Sequence, residues 1–107
     1  MTDKQFCTIF ADALASPDRD AFVSDAWVAP ADADIPADRL DMLGQLWDVA
    51  HLTIKDIRAH TGLSQAAFAT RFCIPRRTVE NWESGTSSCP DYLRLLMAQS
   101  VGLYVRP

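Results

Sequence analysis

Apolar residues recur along this chain every three or four positions, the spacing that places them on one face of an α-helix. The first such stretch runs from about residue 3 to residue 14, and its inward side chains are Phe6, Ile9, Phe10 and Leu14. Alternating β-branched runs, which are typical of strands, are missing from the sequence. The pattern therefore predicts an all-α fold.

Two further helices are predicted before residue 51. Ser16 and Pro17 look like an N-cap followed by a first-turn proline, for a short helix that ends near Trp27. Pro36 opens a longer helix to about His51, and its inward residues are Leu40, Leu43, Leu46, Trp47 and Ala50. Residues 1–50 are thus predicted to be an acidic helical N-terminal extension. Its outer face is either a solvated surface or a surface for packing, dimerisation or a protein partner.

The helix signals become stronger from Thr53 onward. Thr53 and Asp56 have the spacing of a capping box, and Gly62 suits the left-handed residue that ends a helix. Ser64 is placed to cap the next helix, on which Phe68 and Phe72 lie four residues apart on one face. These signals predict two short helices in succession.

A third helix in this half is predicted from Pro75, which fixes its first turn, to Gly85, which closes it. Val79 and Trp82 should face inward, and the opposite side carries Arg76, Arg77, Glu80, Asn81 and Ser84. Arginine makes paired hydrogen bonds to guanine, and asparagine makes them to adenine. This polar face is either a solubilising surface or a surface that reads DNA bases.

The charge of the chain is unevenly distributed. The 107 residues suit one compact domain or a small domain with a helical extension. The overall charge is −4, yet residues 1–50 carry −7 and residues 51–107 carry +3. Such asymmetry is a hint that the basic half contacts nucleic acid.

The order of the motifs along the chain is stronger evidence for DNA binding than the charge. The segment "GLSQAAFATRFCIPRRTVENWESGT" resembles the helix-turn-helix of phage-repressor-like (XRE family) transcription regulators. The resemblance covers about residues 53–96 and includes the G-L-S-Q entry, Ala69 and the closing W-E-x-G. It implies a compact, lambda-repressor-like helix-turn-helix DNA-binding domain over residues 51–107. The N-terminal extension precedes that domain.

Roles for individual residues follow from the same resemblance. It implies that Arg76, Arg77 and Asn81 read bases from a recognition helix over about residues 75–84. The residues that it places against the phosphate backbone are Ser64, Gln65, Thr78 and Ser84. It also matches Arg58 and Glu83 to a structural salt bridge between the first helix of the domain and the recognition helix.

The sequence departs from the family pattern at the turn and in the following loop. Cys73 stands where the turn commonly has glycine, so the turn is expected to form without a residue of easy positive φ. The loop has Ser87, Ser88 and Asp91 where phage repressors often carry cations, so fewer phosphate contacts are implied.

Other functional classes have little support in the sequence. Three cysteines at irregular spacing and two histidines do not make a metal site, and no cofactor motif is present. Reduced thiols are expected, with a disulfide between Cys73 and Cys89 left open. No nucleophile with an activating partner indicates an enzyme. No apolar run reaches the ~18 residues that span a bilayer, so a cytoplasmic protein is expected.

The function predicted from the sequence is sequence-specific binding of double-stranded DNA by a homodimeric transcription regulator, a repressor rather than an activator. A dimer would place two recognition helices about 34 Å apart on a near-palindromic site. The dimer contacts would come from the N-terminal extension or from the segment "LLMAQSVGLY". The alternative is an antitoxin-like or phage-accessory module whose acidic extension binds a protein partner while the helix-turn-helix autoregulates its operon.

Overall fold

A computed structural model of the chain describes residues 2–26 and 37–106. Within these residues all regular structure is helical, so the predicted all-α fold is confirmed. The helices are α1 (Asp3–Ala15), α2 (Arg19–Ala26), α3 (Ala37–Ala50), α4 (Ile54–Thr61), α5 (Gln65–Arg71), α6 (Arg76–Ser84) and α7 (Asp91–Ser100). They form two compact units, Met1–His51 and Leu52–Arg106.

The first unit is a bundle of α1, α2 and α3 around a small apolar core. Its fully buried cluster consists of Ala13, Phe22, Leu43 and Ala50. Half-buried residues pack against this cluster from all three helices: Ile9, Phe10, Leu14, Val23, Met42 and Trp47. The apolar spacing read from the sequence of α1 and α3 therefore identifies the faces that are buried.

Two ring side chains, one near the end of α3 and one directly after it, contact the carbonyl groups at the end of α1. The Trp47 indole donates a hydrogen bond to the carbonyl of Ser16 (3.0 Å), and Nε2 of His51 lies 2.8 Å from the carbonyl oxygen of Ala13. The two rings also stack on each other, with centroids 4.1 Å apart. The last carbonyls of a helix have no partner within the helix, so these contacts satisfy groups that would otherwise need water.

The start of α2 differs from its prediction. Asp18 caps the helix, because its Oδ1 accepts hydrogen bonds from the backbone N–H groups of Asp20 (2.9 Å) and Ala21 (3.3 Å). Ser16 instead ends α1, where its own N–H bonds to the carbonyls of Asp12 and Ala13. The prediction of Ser16 as N-cap with Pro17 in the first turn is wrong, because Ser16 already serves the preceding helix. Trp27, the predicted end of this helix, and Pro36, the predicted start of the next one, lie outside the described residues.

A glycine in α3 makes room for an ion pair with α2. The Arg19 guanidinium contacts the Asp48 carboxylate through two hydrogen bonds, of 2.9 and 3.3 Å. A Cβ atom on Gly44 would lie only 2.3 Å from Nη2 of Arg19. The arginine therefore lies across the surface of α3 at the one turn where no side chain intervenes.

The second unit contains α4 to α7. Each of these helices contributes buried side chains, and the largest fully buried ones are Ile57, Phe68, Val79 and Met97. The predicted boundaries of α4 are confirmed: Thr53 and Asp56 form a reciprocal capping box, and Gly62 ends the helix with φ 71°. Among the described residues no helix has the length and apolarity to cross a bilayer.

Candidate nucleic-acid interface

Helices α5 and α6 are joined by the four residues 72–75, which form a tight turn. Ser64 caps α5 as predicted, with its Oγ accepting a hydrogen bond from the N–H of Ala67 (3.1 Å). The Phe68 and Phe72 rings lie 4.9 Å apart at the end of that helix. The chain then returns so that the N–H of Ile74 bonds to the carbonyl of Ala69 (2.9 Å). These contacts fix the direction in which α6 leaves the turn.

Cys73 makes this turn in the left-handed conformation, with φ 55°. The turn forms without glycine, as expected, but Cys73 itself takes the positive φ. A cysteine adopts the conformation that glycine favours, although its Cβ makes that conformation unfavourable. The neighbouring hydrogen bond from Ile74 to Ala69 stabilises the turn in this conformation.

Helix α6 is held in the second unit by its inner face and by both of its ends. Val79 is fully buried, and Trp82 is only half-buried, so the predicted inward position of Trp82 is only partly realised. Pro75 occupies the N-cap position with ψ 135°, one residue before the first turn where it was predicted. Gly85 ends the helix with φ 82°, as predicted. The outer face is therefore presented by a helix of fixed length.

The residues predicted to read bases lie on or beside the outer face of α6. At 100° per residue, Arg77 and Asn81 lie nearly opposite the buried Val79. Arg77 is exposed and Asn81 is half-buried. Arg76 is exposed too, but it lies only about 60° around the helix from Val79, between the inner and outer faces. Arg77 has no ion pair with any residue in the described ranges 2–26 and 37–106.

Arg76 differs from Arg77 because it has a partner on its own helix. Its Nε atom lies 3.1 Å from Oε1 of Glu80, one helical turn further along. Sequence reasoning placed Glu80 on the polar face without giving it a role. The four-residue spacing between Arg76 and Glu80 is the signal that could have predicted the pair.

Four residues were predicted to contact phosphates, and their side chains have different surroundings. Ser64 is exposed and accepts the cap hydrogen bond, so its hydroxyl proton can still be donated. Gln65 is half-buried, and its side chain helps Arg58 to lower the pKa of Glu83. Thr78 is half-buried. Ser84 is exposed, with its Oγ 3.2 Å from the carbonyl of Asn81.

The ion pair of Arg58 on α4 with Glu83 on α6 is present. The guanidinium donates two parallel hydrogen bonds to the carboxylate, Nε to Oε2 and Nη2 to Oε1, both 2.9 Å long. A third, from Nη1 to the carbonyl of Leu63, is 3.1 Å long. The Glu83 side chain is only 7% exposed. The hydrogen bonds from Arg58 lower the pKa of Glu83, so the carboxylate is charged at neutral pH.

The first turn of α6 contains two arginines and no acidic residue. The amino end of a helix carries a partial positive charge, so each cation there is unfavourable by about 0.3–1 kcal/mol. The side chain of the preceding residue, Pro75, does not compensate with a hydrogen bond. A local electrostatic rule is thus broken at this position, which is where functional residues are expected to break it.

Other chemistry has little basis in the described part of the chain. No group of three or more histidine, cysteine or acidic residues is arranged there to hold a metal ion. Cys7, Cys73 and Cys89 are free thiols. Burial raises the pKa of the Cys89 thiol to about 11, so this sulfur is protonated and weakly nucleophilic at neutral pH.

Comparison with protein families identifies the fold of the second unit. Residues 54–97 match the family model described as helix-turn-helix. The match confirms the resemblance of this segment to the helix-turn-helix of the phage-repressor-like (XRE) regulators. The match runs from the first residue of α4 into α7 and includes the whole of α5, the turn and α6. Comparison with curated proteins and with solved structures gives no match.

Proposed function

We propose that the second unit binds double-stranded DNA sequence-specifically, with α6 as the recognition helix in the major groove. The observation that supports this most is the pair of exposed arginines, Arg76 and Arg77, at the amino end of a helix anchored by Val79 and Glu83. A helix-turn-helix contacts base edges with the amino-terminal residues of its second helix. The cations therefore lie where that contact is made.

Three residues of α6 have a proposed partner among the DNA bases. Arg76 and Arg77 bind guanine O6 and N7, and Asn81 binds adenine N6 and N7. The phosphate backbone is bound by Ser64, Gln65, Thr78 and Ser84. Such contacts position a protein on the duplex and carry no sequence information themselves.

We propose further that the protein acts as a homodimer on a near-palindromic site. One protomer offers few cations for phosphates, because Arg58, Arg76 and Arg94 are held in ion pairs. Tyr92 and Leu96 lie one turn apart on the outer face of α7, 68% and 55% exposed. This uncharged stripe would not repel its own copy, so it favours the outer face of α7 as the dimer contact. The helix overlaps the predicted "LLMAQSVGLY" segment at residues 95–100.

The dimer would regulate transcription, and we propose repression as its action. A protein that occupies a promoter can block it by its presence alone, whereas activation needs an additional surface for the transcription machinery. Repression therefore needs only the DNA contacts described above.

Selection from a randomised duplex library, followed by affinity measurement on the selected site, tests the proposed DNA binding. Arg77→Gln should lower the affinity for that site by roughly 5- to 150-fold, the value of one good base contact. Lys4→Gln removes the same charge from an exposed position in the first unit and should leave the affinity unchanged. If no sequence is enriched, or if both variants bind like wild type, the proposal is wrong.

The dimer has a separate test by sedimentation equilibrium with and without the selected DNA. Leu96→Lys should shift the protein to monomer and abolish cooperative binding to the two half-sites. Ala59→Lys places the same charge on an exposed position of α4 and should leave the dimer intact. A wild-type protein that is monomeric both free and on DNA contradicts this part of the proposal.

A further inference from the structure

We propose that Glu80 is a specificity-determining residue, which holds Arg76 for a G·C base pair and keeps that arginine off the phosphates. This inference rests on the proposed function, because it assigns a role within the same recognition helix. It distinguishes the two adjacent arginines, which the sequence presents as equivalent.

The contact fixes which edge of Arg76 remains for DNA. The Nε edge of the guanidinium faces Glu80, at 3.1 Å from Oε1. The two Nη groups form the opposite fork, and this fork matches guanine O6 and N7. Glu80 therefore orients the arginine with its reading end free.

The carboxylate also has an acceptor left for the other base of the same pair. The contact with Arg76 uses Oε1, so Oε2 can accept a hydrogen bond. In the major groove cytosine presents the N4 amino group as a donor, beside guanine O6 and N7. An arginine and a carboxylate held together on one helix face are thus complementary to a G·C pair.

Stability of the helix does not explain the pair. The arginine precedes the glutamate, and this order is the weaker one for charged residues four apart on a helix. The side chains are 63% and 38% exposed, so solvent screens their attraction. Arg76 also lies at the positive end of the helix dipole. A pair that served stability alone would have the reverse order.

The pair changes how the helix meets DNA of the wrong sequence. A free arginine binds any phosphate, and each phosphate contact adds about 0.9 to the slope of log affinity against log salt. Arg76 and Glu80 together carry no net charge, and a carboxylate so close to the arginine would be repelled by a phosphate. Arg76 is therefore ineffective as a nonspecific ligand, whereas Arg77, with no ion pair in the described ranges, keeps its full charge.

Entry into the correct site strengthens the same contact. Docking in the groove would replace part of the water around the pair with protein and DNA, so the attraction between the two charges would increase. An unpaired carboxylate would be strongly unfavourable there, so Glu80 keeps Arg76 beside it. The protein would prefer G·C over other base pairs at this position because a G·C pair alone offers a hydrogen-bond partner to both Arg76 and Glu80.

The test compares the full-length wild type with Glu80→Gln, Arg76→Gln and the double variant. Binding is measured across a salt series on the library-selected duplex, on the same duplex with the contacted G·C pair changed to A·T, and on mixed-sequence DNA. Asp12→Asn removes one negative charge from an exposed position of α1 and is the matched control. Thermal melting of each variant checks that the fold is retained.

Glu80→Gln should steepen the salt slope on mixed-sequence DNA by about 0.9, which is roughly a fivefold gain in nonspecific affinity near physiological salt. Adding Arg76→Gln should return the slope to that of wild type. Preference for G·C over A·T at the contacted pair should fall by roughly 1.4- to 2.3-fold with Glu80→Gln, the value of one such ion pair on a helix. Asp12→Asn should change neither quantity.

The failures of the two proposals can be distinguished. If Arg77→Gln weakens binding to the selected site while Glu80→Gln changes neither the slope nor the G·C preference, this inference is overturned and the proposed function stands. If no site is selected, or if neither arginine affects binding, the proposed function fails and this inference fails with it.

Discussion

Arg58 and Glu83 join α4 to α6 through two parallel hydrogen bonds of 2.9 Å, on a carboxylate that is almost fully shielded from water. The Arg58 guanidinium donates a third hydrogen bond to the Leu63 carbonyl. Glu83→Ala removes the other two acceptors and leaves only this bond of the three. We expect a loss of about 2–3 kcal/mol in the free energy of unfolding. This is a fall in melting temperature of roughly 10 °C or more.

Glu83→Gln is the matched control for this change. The amide keeps the shape and one acceptor oxygen but not the charge, so the expected loss is smaller than for alanine. A melting temperature of Glu83→Ala equal to that of wild type would contradict a structural role for the pair.

The same pair makes stability depend on pH. Hydrogen bonds from Arg58 hold the pKa of Glu83 below its ordinary value of 4.5, so in this range the unfolded chain binds the proton more readily than the folded one. The contribution of the pair is complete above pH 4.5 and is lost as the pH falls through the lower, folded-state pKa. We expect the urea midpoint of wild type to drop more steeply below pH 4.5 than that of Glu83→Gln. If the urea midpoints of wild type and Glu83→Gln fall in parallel as the pH is lowered, the ion pair contributes nothing to the pH dependence of stability.

Cys73 offers a stabilising substitution at the turn. Because it has φ 55°, glycine should remove the strain of the left-handed conformation. The greater freedom of glycine in the unfolded chain offsets part of this gain. We expect Cys73→Gly to raise the free energy of unfolding by about 0.5–1 kcal/mol in urea titrations. Cys73→Ala keeps the Cβ and removes the thiol, so it should stay close to wild type; equal effects of glycine and alanine would rule out backbone strain as the cause.

Arg77 should show a trade-off between stability and binding. Arg77→Glu places an anion in the first turn of α6, where the helix dipole favours it by about 0.3–1 kcal/mol. We expect a higher melting temperature together with loss of affinity for the library-selected DNA. Arg71→Glu makes the same change in the last turn of α5, where the dipole favours a cation, so its melting temperature should fall. Destabilisation by Arg77→Glu would show that the arginine serves the fold.

Gly44 and Arg19 can be tested as a coupled pair. Alanine in a helix interior is favoured over glycine by about 0.8–1 kcal/mol, but here its Cβ would displace the Arg19 guanidinium from Asp48. That ion pair is largely exposed and contributes at most about 1 kcal/mol. We therefore expect Gly44→Ala to be nearly neutral in wild type and clearly stabilising in an Arg19→Ala background. Equal effects in both backgrounds would show that the two residues are not coupled.

Local sequence signals predicted much of the second unit. Thr53, Gly62, Ser64 and Gly85 act on the backbone within a few residues of themselves, so their positions indicate helix ends directly. The role of Ser16 was predicted wrongly because a serine beside a proline suits either end of a helix. The hydrogen bonds of Ser16 and Asp18 show that Ser16 ends α1 and that Asp18 caps α2.

Contacts between elements were harder to predict from the sequence. The positive φ of Cys73 is imposed by the return of the chain from α5 to α6, and cysteine itself has no preference for it. The contact of Arg19 with α3 depends on a missing side chain 25 positions further along the chain. Helical periodicity predicted the exposure of Arg77, whereas the proposed division of roles between Arg76 and Arg77 needed the position of the Glu80 carboxylate.

Pro75 and Gly85 set the two ends of α6 through their own backbone conformations. The length of the helix therefore does not depend on the side chains that face outward between them. Nine residues at about 1.5 Å each give a rod of roughly 13 Å, close to the width of the major groove. On the proposed function, exchange of the outward side chains would redirect the protein to other DNA sequences while the buried residues that hold α6 stay the same. The outward residues of α6 could then be substituted without changes elsewhere, which makes this small chain a candidate scaffold for engineered DNA-binding proteins.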